Sequence, residues 1–187
     1  MKLRRIAPVF VLALSVTATG ALLASGEPSE HGNLIPQSAN AKWKSECGAC
    51  HVAYPPALLP ARSWEKLMAG LADHFGEDAS LDPATAREIR EYLVRESGDR
   101  GAGRTGRKAA NAVAPADAPM RITATRWFRH EHDEIAPAVW RRAAIGSPAN
   151  CGACHKGAAD LDFSERRVAI PRDTGRPGAG QVSLGAR

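Results

Sequence analysis

The apolar positions of this chain form one continuous run at the start and then short stripes separated by breakers. Ile6 to Ala24 is almost wholly apolar, follows Lys2, Arg4 and Arg5, and ends in small residues. That layout predicts a secretory signal peptide over residues 1–26, cleaved between Gly20 and Gly26. Ser, Thr, Gly and Pro dilute the run, which argues against a retained anchor. After a polar lead-in, "NAKWKSECGACH" predicts a helix running into Cys47–His51. The following "VAYPPALLPAR" is predicted as a stiff extended loop, because Pro55, Pro56 and Pro60 fix φ and remove donors. Trp64, Leu67, Met68 and Leu71 then recur at helical spacing, with Ser63 as the expected N-cap. Asp82 and Pro83 open another helix, "PATAREIREYLVRE", which stops at Ser97 and Gly98.

At Gly98 the pattern changes. "GDRGAGRTGRKAANAVAPADAP" is small, polar and basic, and residues 98–120 are predicted to be a Gly/Arg/Ala-rich linker with few packed residues. Residues 121–129, "RITATRWFR", are expected to be extended. "PAVWRRAAI" predicts a short helix begun by Pro137 and stopped by Gly146. An irregular stretch is expected up to Pro171, and the tail, 172–187, is predicted to be disordered. Two halves emerge, 27–97 and 121–171, and no segment after the leader is apolar enough to cross a membrane.

Charge and composition narrow the partners. The leader holds three basic residues and no acidic ones, so removing it takes the count from 25 basic and 20 acidic residues to 22 against 20, and the formal charge from +5 to +2. No dense basic patch with interleaved aromatics remains, which argues against nucleic acid as a partner. With four Trp, two Tyr and four Phe in the whole chain, the sequence has modest means to build a core. Another source of buried apolar surface is expected.

The four cysteines supply that source. All of them lie in two copies of one pentapeptide, CGACH, at Cys47–His51 and Cys151–His155. Cys-x-x-Cys-His is the attachment signature of c-type haem. On a helical turn the two sulfurs share a face and reach the two haem vinyl groups, and the adjacent histidine can face the iron. A shared zinc site would bring the pairs much closer in sequence. A thioredoxin-like motif would need a strand–helix unit around it, and plain disulfides would not require histidine after each pair. The expected cofactors are two covalently attached haem c, held by Cys47 and Cys50 and by Cys151 and Cys154, with His51 and His155 as proximal ligands. The expected fold is mainly α with extensive irregular loops, its two haem-binding halves packed around the c-type haems, so that apoprotein should be poorly folded.

Whether each iron has a second protein ligand separates electron transfer from oxygen chemistry. His74 stands 23 residues after His51, and His132 stands 23 residues before His155. His74 is favoured as a ligand over a surface histidine at a helix end. His130 and His132 compete: two residues apart, they point to opposite sides of a helix but to one side of a strand. His31, near the mature N-terminus, is expected to be unliganded. Met68 belongs to the Trp64 stripe and is better explained by packing. Met120 could ligate, but histidines suffice for both irons.

The stretches "ECGACHVAYPPALLPARSW", "HFGEDASLD", "HDEI" and "SPANCGACHKGAADLDFSERRVAIP" resemble the small periplasmic dihaem cytochromes c known as DHC. The resemblance covers much of Trp43 to Pro171 and goes well beyond the haem signature. It implies two bis-histidine, low-spin, low-potential haems carrying electrons in the periplasm, with His74 and His132 as distal ligands. It leaves open which of the two serves which haem. By the same resemblance the redox partners are a small monohaem cytochrome as acceptor and a membrane cytochrome b as donor. The Gly/Arg-rich stretch and the tail depart from the family pattern.

An electron carrier is therefore expected, without stable membrane insertion after cleavage and without enzymatic activity. The alternative is a dihaem enzyme of peroxidase or nitrogen-oxide reductase type, which needs an open axial position. Asp73, Glu77 and Asp78 flank His74, and Glu131, Asp133 and Glu134 flank His132. Such carboxylates more often orient a ligand histidine or face solvent than catalyse. A gas sensor would need an open iron and a signalling domain, and neither is evident.

Overall fold

The first helix, α1 (Ala41–Gly48), starts where Asn40 accepts a hydrogen bond from the Trp43 amide at 2.7 Å, and so delivers Cys47 on its last turn. This is a computed structural model describing residues 34, 38, 40–101 and 103–172. The predicted signal peptide, His31 and the tail beyond Arg172 lie outside the described residues. Trp43 is buried on α1 and meets the Tyr92 ring at 5.3 Å. Tyr92 lies on α3 (Pro83–Arg95), which Asp82 caps by accepting the Ala84 and Thr85 amides, each at 3.0 Å, with Pro83 at the first helical position as the sequence predicts. Ile89, Tyr92 and Leu93, three and four residues apart, form the buried stripe of α3. That stripe packs on α2 (Ala61–Ala69).

Helix α2 departs from the prediction at its start. Its N-cap is Pro60, and Ser63 is buried inside the first turn. The amide of Ala61 instead donates to the Asp99 carboxylate at 2.9 Å, and Ser97 Oγ donates to the same oxygen at 2.7 Å. Proline offers no side-chain acceptor, so a carboxylate distant in sequence satisfies the helix end.

Asp99 belongs to the stretch expected to be a loosely packed linker, and the structure corrects that expectation. Helix α4 (Arg104–Asn111) runs through it, with Thr105, Gly106, Ala109 and Ala110 buried and the 3-10 turn Pro56–Leu58 as its neighbour. Arg62 of α2 adds bonds to the carbonyls of Val113 (3.3 Å) and Ala114 (2.9 Å). The stripe of α4 is small rather than strongly apolar, which hid it from hydrophobic patterning. Small residues permit the close approach seen at Gly98, where a Cβ would run into the carbonyl oxygens of Ala57 and Gly106. Gly98→Ala should therefore cost about 1–3 kcal/mol by overpacking. In urea titration of the holoprotein the midpoint should fall at unchanged slope; an unchanged midpoint would show that the contact yields freely.

Residues 121–129 are not extended. Ile122–Ala124 form a 3-10 turn and α5 spans Arg126–Glu131. The Thr125 hydroxyl makes the junction, donating to the Ile122 carbonyl at 2.7 Å and accepting from the Phe128 amide at 3.1 Å. Helix α6 is shorter than predicted, Pro137–Trp140, and the chain then turns through Gly146 at φ +72° into α7 (Cys151–Cys154). Only isolated bridges, and no strands, occur among the described residues. No helix among them is long and apolar enough to cross a membrane. The architecture is mainly helical with many loops.

Two hydrophobic clusters hold these pieces together. One joins Trp43, Leu59, Trp64, Ile89, Tyr92 and Leu93. The other joins Ala57 and Leu58 to Ala158 and Phe163, across the two halves. The first half thus has a protein core of its own, more than the modest means read from composition suggested. Three aromatic side chains, Trp43, Trp64 and Tyr92, are buried there.

Candidate haem sites

Each cysteine pair sits at the end of a helical turn. Cys47 ends one turn of α1 and Cys50 lies just beyond it; Cys151 and Cys154 begin and end α7. None of the four is in a disulfide. Burial, and then the Glu46 carboxylate, push the Cys47 thiol up to about 11; burial also pushes Cys151 up to about 11 and raises Cys154. Redox-active thiols need the opposite, a depressed pKa in an electropositive setting. Among the described residues no group of three or more His, Cys, Asp or Glu side chains converges as a bare metal ion would require. Attachment of a prosthetic group is what these pairs are built for.

The histidines complete the geometry. His51 and His74 have ring centroids 6.2 Å apart with planes inclined by 25°. His132 and His155 are also 6.2 Å apart, inclined by 78°. Both separations are too long for direct ring contact. A metal–imidazole bond is about 2 Å and the ring centre lies about 1.1 Å farther on, so imidazoles on opposite sides of one metal sit about 6.3 Å apart. The residues present fit a metalloporphyrin at each motif. His74 stands across from the histidine of the first motif and His132 across from that of the second.

The two pairs are held differently. His51 Nδ1 lies 2.8 Å from the Val52 carbonyl and His132 Nδ1 lies 2.9 Å from the Phe128 carbonyl. Carbonyls only accept, so each Nδ1 is the donor in its contact, which leaves Nε2 as the ring atom that could meet a metal. His132 caps the end of α5 in this way, four residues after Phe128, whose ring stacks on it at 4.2 Å. Trp140 stands on another side at 5.9 Å. A cavity of about 300 Å³ opens there, lined by Thr123, Phe128, Arg129, His132, Trp140 and Pro148. His155 follows α7, donates its amide to the Cys151 carbonyl at 2.8 Å, and tilts against Phe163 at 5.3 Å. The segment after it doubles back, Ala169 donating to the Cys154 carbonyl at 2.9 Å.

His74 is carried by a tight reverse turn. Its amide donates to the Glu77 carbonyl at 2.7 Å, and Phe75 and Gly76 both take positive φ, +62° and +103°. Burial lowers the His74 pKa, and the charges of His51 and Arg121 add to this, which favours the neutral imidazole. The Arg121 guanidinium lies 3.9 Å over the Phe75 ring.

Helical geometry separates the two competing histidines. His130 is exposed, its Nδ1 3.6 Å from Asp133, while His132 turns toward His155. Two of the neighbouring carboxylates are engaged with backbone amides. Asp73 accepts the Gly76 amide and Asp78 accepts the Ser80 amide, so both serve turns. Met68 packs against the first cluster, and Met120 is exposed. Sequence reasoning missed Phe128, Trp140, Phe163 and Tyr54 as neighbours of the histidines. The i, i+4 spacing of Phe128 and His132 and the i, i+3 spacing of His51 and Tyr54 were usable signs; Trp140 and Phe163 each stand eight residues from the histidine they meet.

Known proteins are similar to this chain in sequence and fold. A family profile for dihaem cytochrome c (DHC) matches residues 43–163. A solved structure of dihaem cytochrome c from Rhodobacter sphaeroides is 46% identical, with a TM-score of 0.60, and the match covers 67% of this chain and 98% of that one. A structure of a dihaem cytochrome type c from Shewanella baltica OS155 is 38% identical, with a TM-score of 0.58, covering 73% and 95%. No curated protein matches the chain.

Proposed function

Because this chain belongs to the dihaem cytochrome c family, with two covalently bound haem c groups at Cys47/Cys50 and Cys151/Cys154, we propose that it is a non-enzymatic electron carrier. Haem supplies the one-electron couple when bound. His51 and His74 would hold the first and His155 and His132 the second, giving bis-histidine, low-spin centres. The observation that carries this is the same 6.2 Å separation in both histidine pairs. The Val52 and Phe128 carbonyls hold the Nδ1 protons of His51 and His132, and so keep each Nε2 directed as a donor. With haem bound, an imidazole from each side would exclude water and small oxidants, and the lack of the thioether that raises potential in Met/His cytochromes would favour a low potential.

The apolar leader directs the chain to the periplasm, where covalent attachment keeps the cofactors from being lost. The partners are redox proteins: a small monohaem cytochrome as acceptor and a membrane cytochrome b as donor. Contacts of this kind are small and guided by charge. Adding carbon monoxide to the reduced holoprotein should leave both Soret bands unchanged. Prompt binding at either haem would favour a dihaem enzyme instead.

A further inference from the structure

One side chain touches both sites. Tyr54, three residues after His51, stacks on the His51 imidazole with centroids 4.7 Å apart and planes inclined by 23°. Its hydroxyl crosses to the other half of the molecule and donates to the Ala149 carbonyl at 2.7 Å, 95 residues away in sequence. The Cys151 sulfur lies 3.6 Å from that same carbonyl oxygen. The chain of contacts therefore runs from an axial imidazole of the first motif, through one ring and one hydrogen bond, to the first attachment cysteine of the second. We infer that Tyr54 is a positioning residue that couples the two haem sites, setting the His51 plane at one end and providing the bonded contact to the Ala149–Cys151 segment at the other.

Two considerations support this role, which rests on the electron-carrier function proposed above. A stacked ring whose far end is tethered cannot rotate independently, so the His51 plane and the Ala149 carbonyl are fixed relative to one another. Electronic coupling also decays more slowly through bonded and hydrogen-bonded contacts than across gaps. The exchange moves one electron: the ferrous centre at one site becomes ferric as the ferric centre at the other becomes ferrous. No proton or co-reactant is consumed, and Tyr54 is neither oxidised nor deprotonated.

Tyr54→Phe keeps the ring and removes the tether, whereas Tyr54→Leu removes both, so the pair separates the two ends of the contact. Both should be prepared as holoproteins carrying two haems by mass. Intramolecular electron exchange can be read from exchange broadening of haem methyl resonances in half-reduced protein, extrapolated to zero protein concentration. Tyr54→Phe should slow it severalfold with the low-spin ferric spectrum of each site retained. Tyr54→Leu should slow it as well and shift the electron paramagnetic resonance signal of the first site alone. Wild-type exchange in both variants would overturn the inference while leaving the carrier function intact. A high-spin centre in the unsubstituted holoprotein would instead overturn the two-histidine coordination on which it rests.

Discussion

Replacing His132 by alanine will convert one of the two haems from six-coordinate low-spin to a form that is high-spin or water-ligated, and that binds carbon monoxide when reduced. His74→Ala will do the same at the other haem. Neither variant will lose covalent haem, because the cysteines remain. These are the largest functional effects expected, since on the proposed coordination each substitution removes one axial donor and, among the described residues, no other histidine is placed to replace it. His130 is exposed and turned toward Asp133, so it cannot take the role of His132 without unwinding the end of α5. Optical and magnetic spectra of purified variants, with and without carbon monoxide, give the result directly. Two six-coordinate low-spin haems in either variant would mean that a different residue closes that site. The two variants should also differ in stability. His132 closes the last turn of α5 through the Phe128 carbonyl and packs on the Phe128 ring, so His132→Ala should lower the unfolding midpoint more than His74→Ala. The turn that carries His74 is internally bonded, with Ala79 donating to the Leu71 carbonyl, and should persist without the ring.

Removing the second attachment site will have the largest effect on the fold. With Cys151→Ser and Cys154→Ser together, only one haem should be added, and residues 121–171 should lose protection from proteolysis and amide exchange while α2 and α3 keep theirs. The physical reason is the uneven distribution of buried side chains. The first half buries Trp43, Leu59, Trp64, Ile89, Tyr92 and Leu93 in one cluster. The second half has Phe128, Ile145, Ala158 and Phe163 as its buried apolar residues, and the last two lean on Ala57 and Leu58 of the first. Cofactor binding is folding free energy where the protein core is thin. The reciprocal variant, Cys47→Ser with Cys50→Ser, should leave α2 and α3 more protected than the second half is in the first variant. Equal protection of the two halves in both variants would show that the protein contacts alone suffice.

Much of the site was legible because its chemistry is local. Two CGACH pentapeptides name their cofactor, and His74 and His132 stand at matching separations from the motif histidines. The α3 helix was legible for a similar reason: Asp82 and Pro83 are start signals, and the Ile89, Tyr92 and Leu93 stripe has helical spacing. What escaped was written in long-range contacts or in small residues. The α4 helix buries threonine, glycine and alanine, which hydrophobic patterning scores as linker. Thr125 starts α5 where an extended segment was expected, because its hydroxyl serves both the turn before it and the helix after it. The acceptor for the first amide of α2, Asp99, lies 38 residues from the residue it serves. Tyr54 and Ala149 are farther apart still, and no local rule joins them.

The central claim is that each haem is closed by two histidines whose planes are nearly parallel at the first site and nearly perpendicular at the second, 25° against 78°. Parallel imidazoles split the iron d orbitals that define the low-spin signal, and perpendicular ones leave them nearly degenerate. Low-temperature electron paramagnetic resonance of the fully oxidised holoprotein should therefore show two low-spin signals in equal amounts, one rhombic and one strongly anisotropic with a large maximum g value. A high-spin signal accounting for one haem, in protein that carries two, would contradict it.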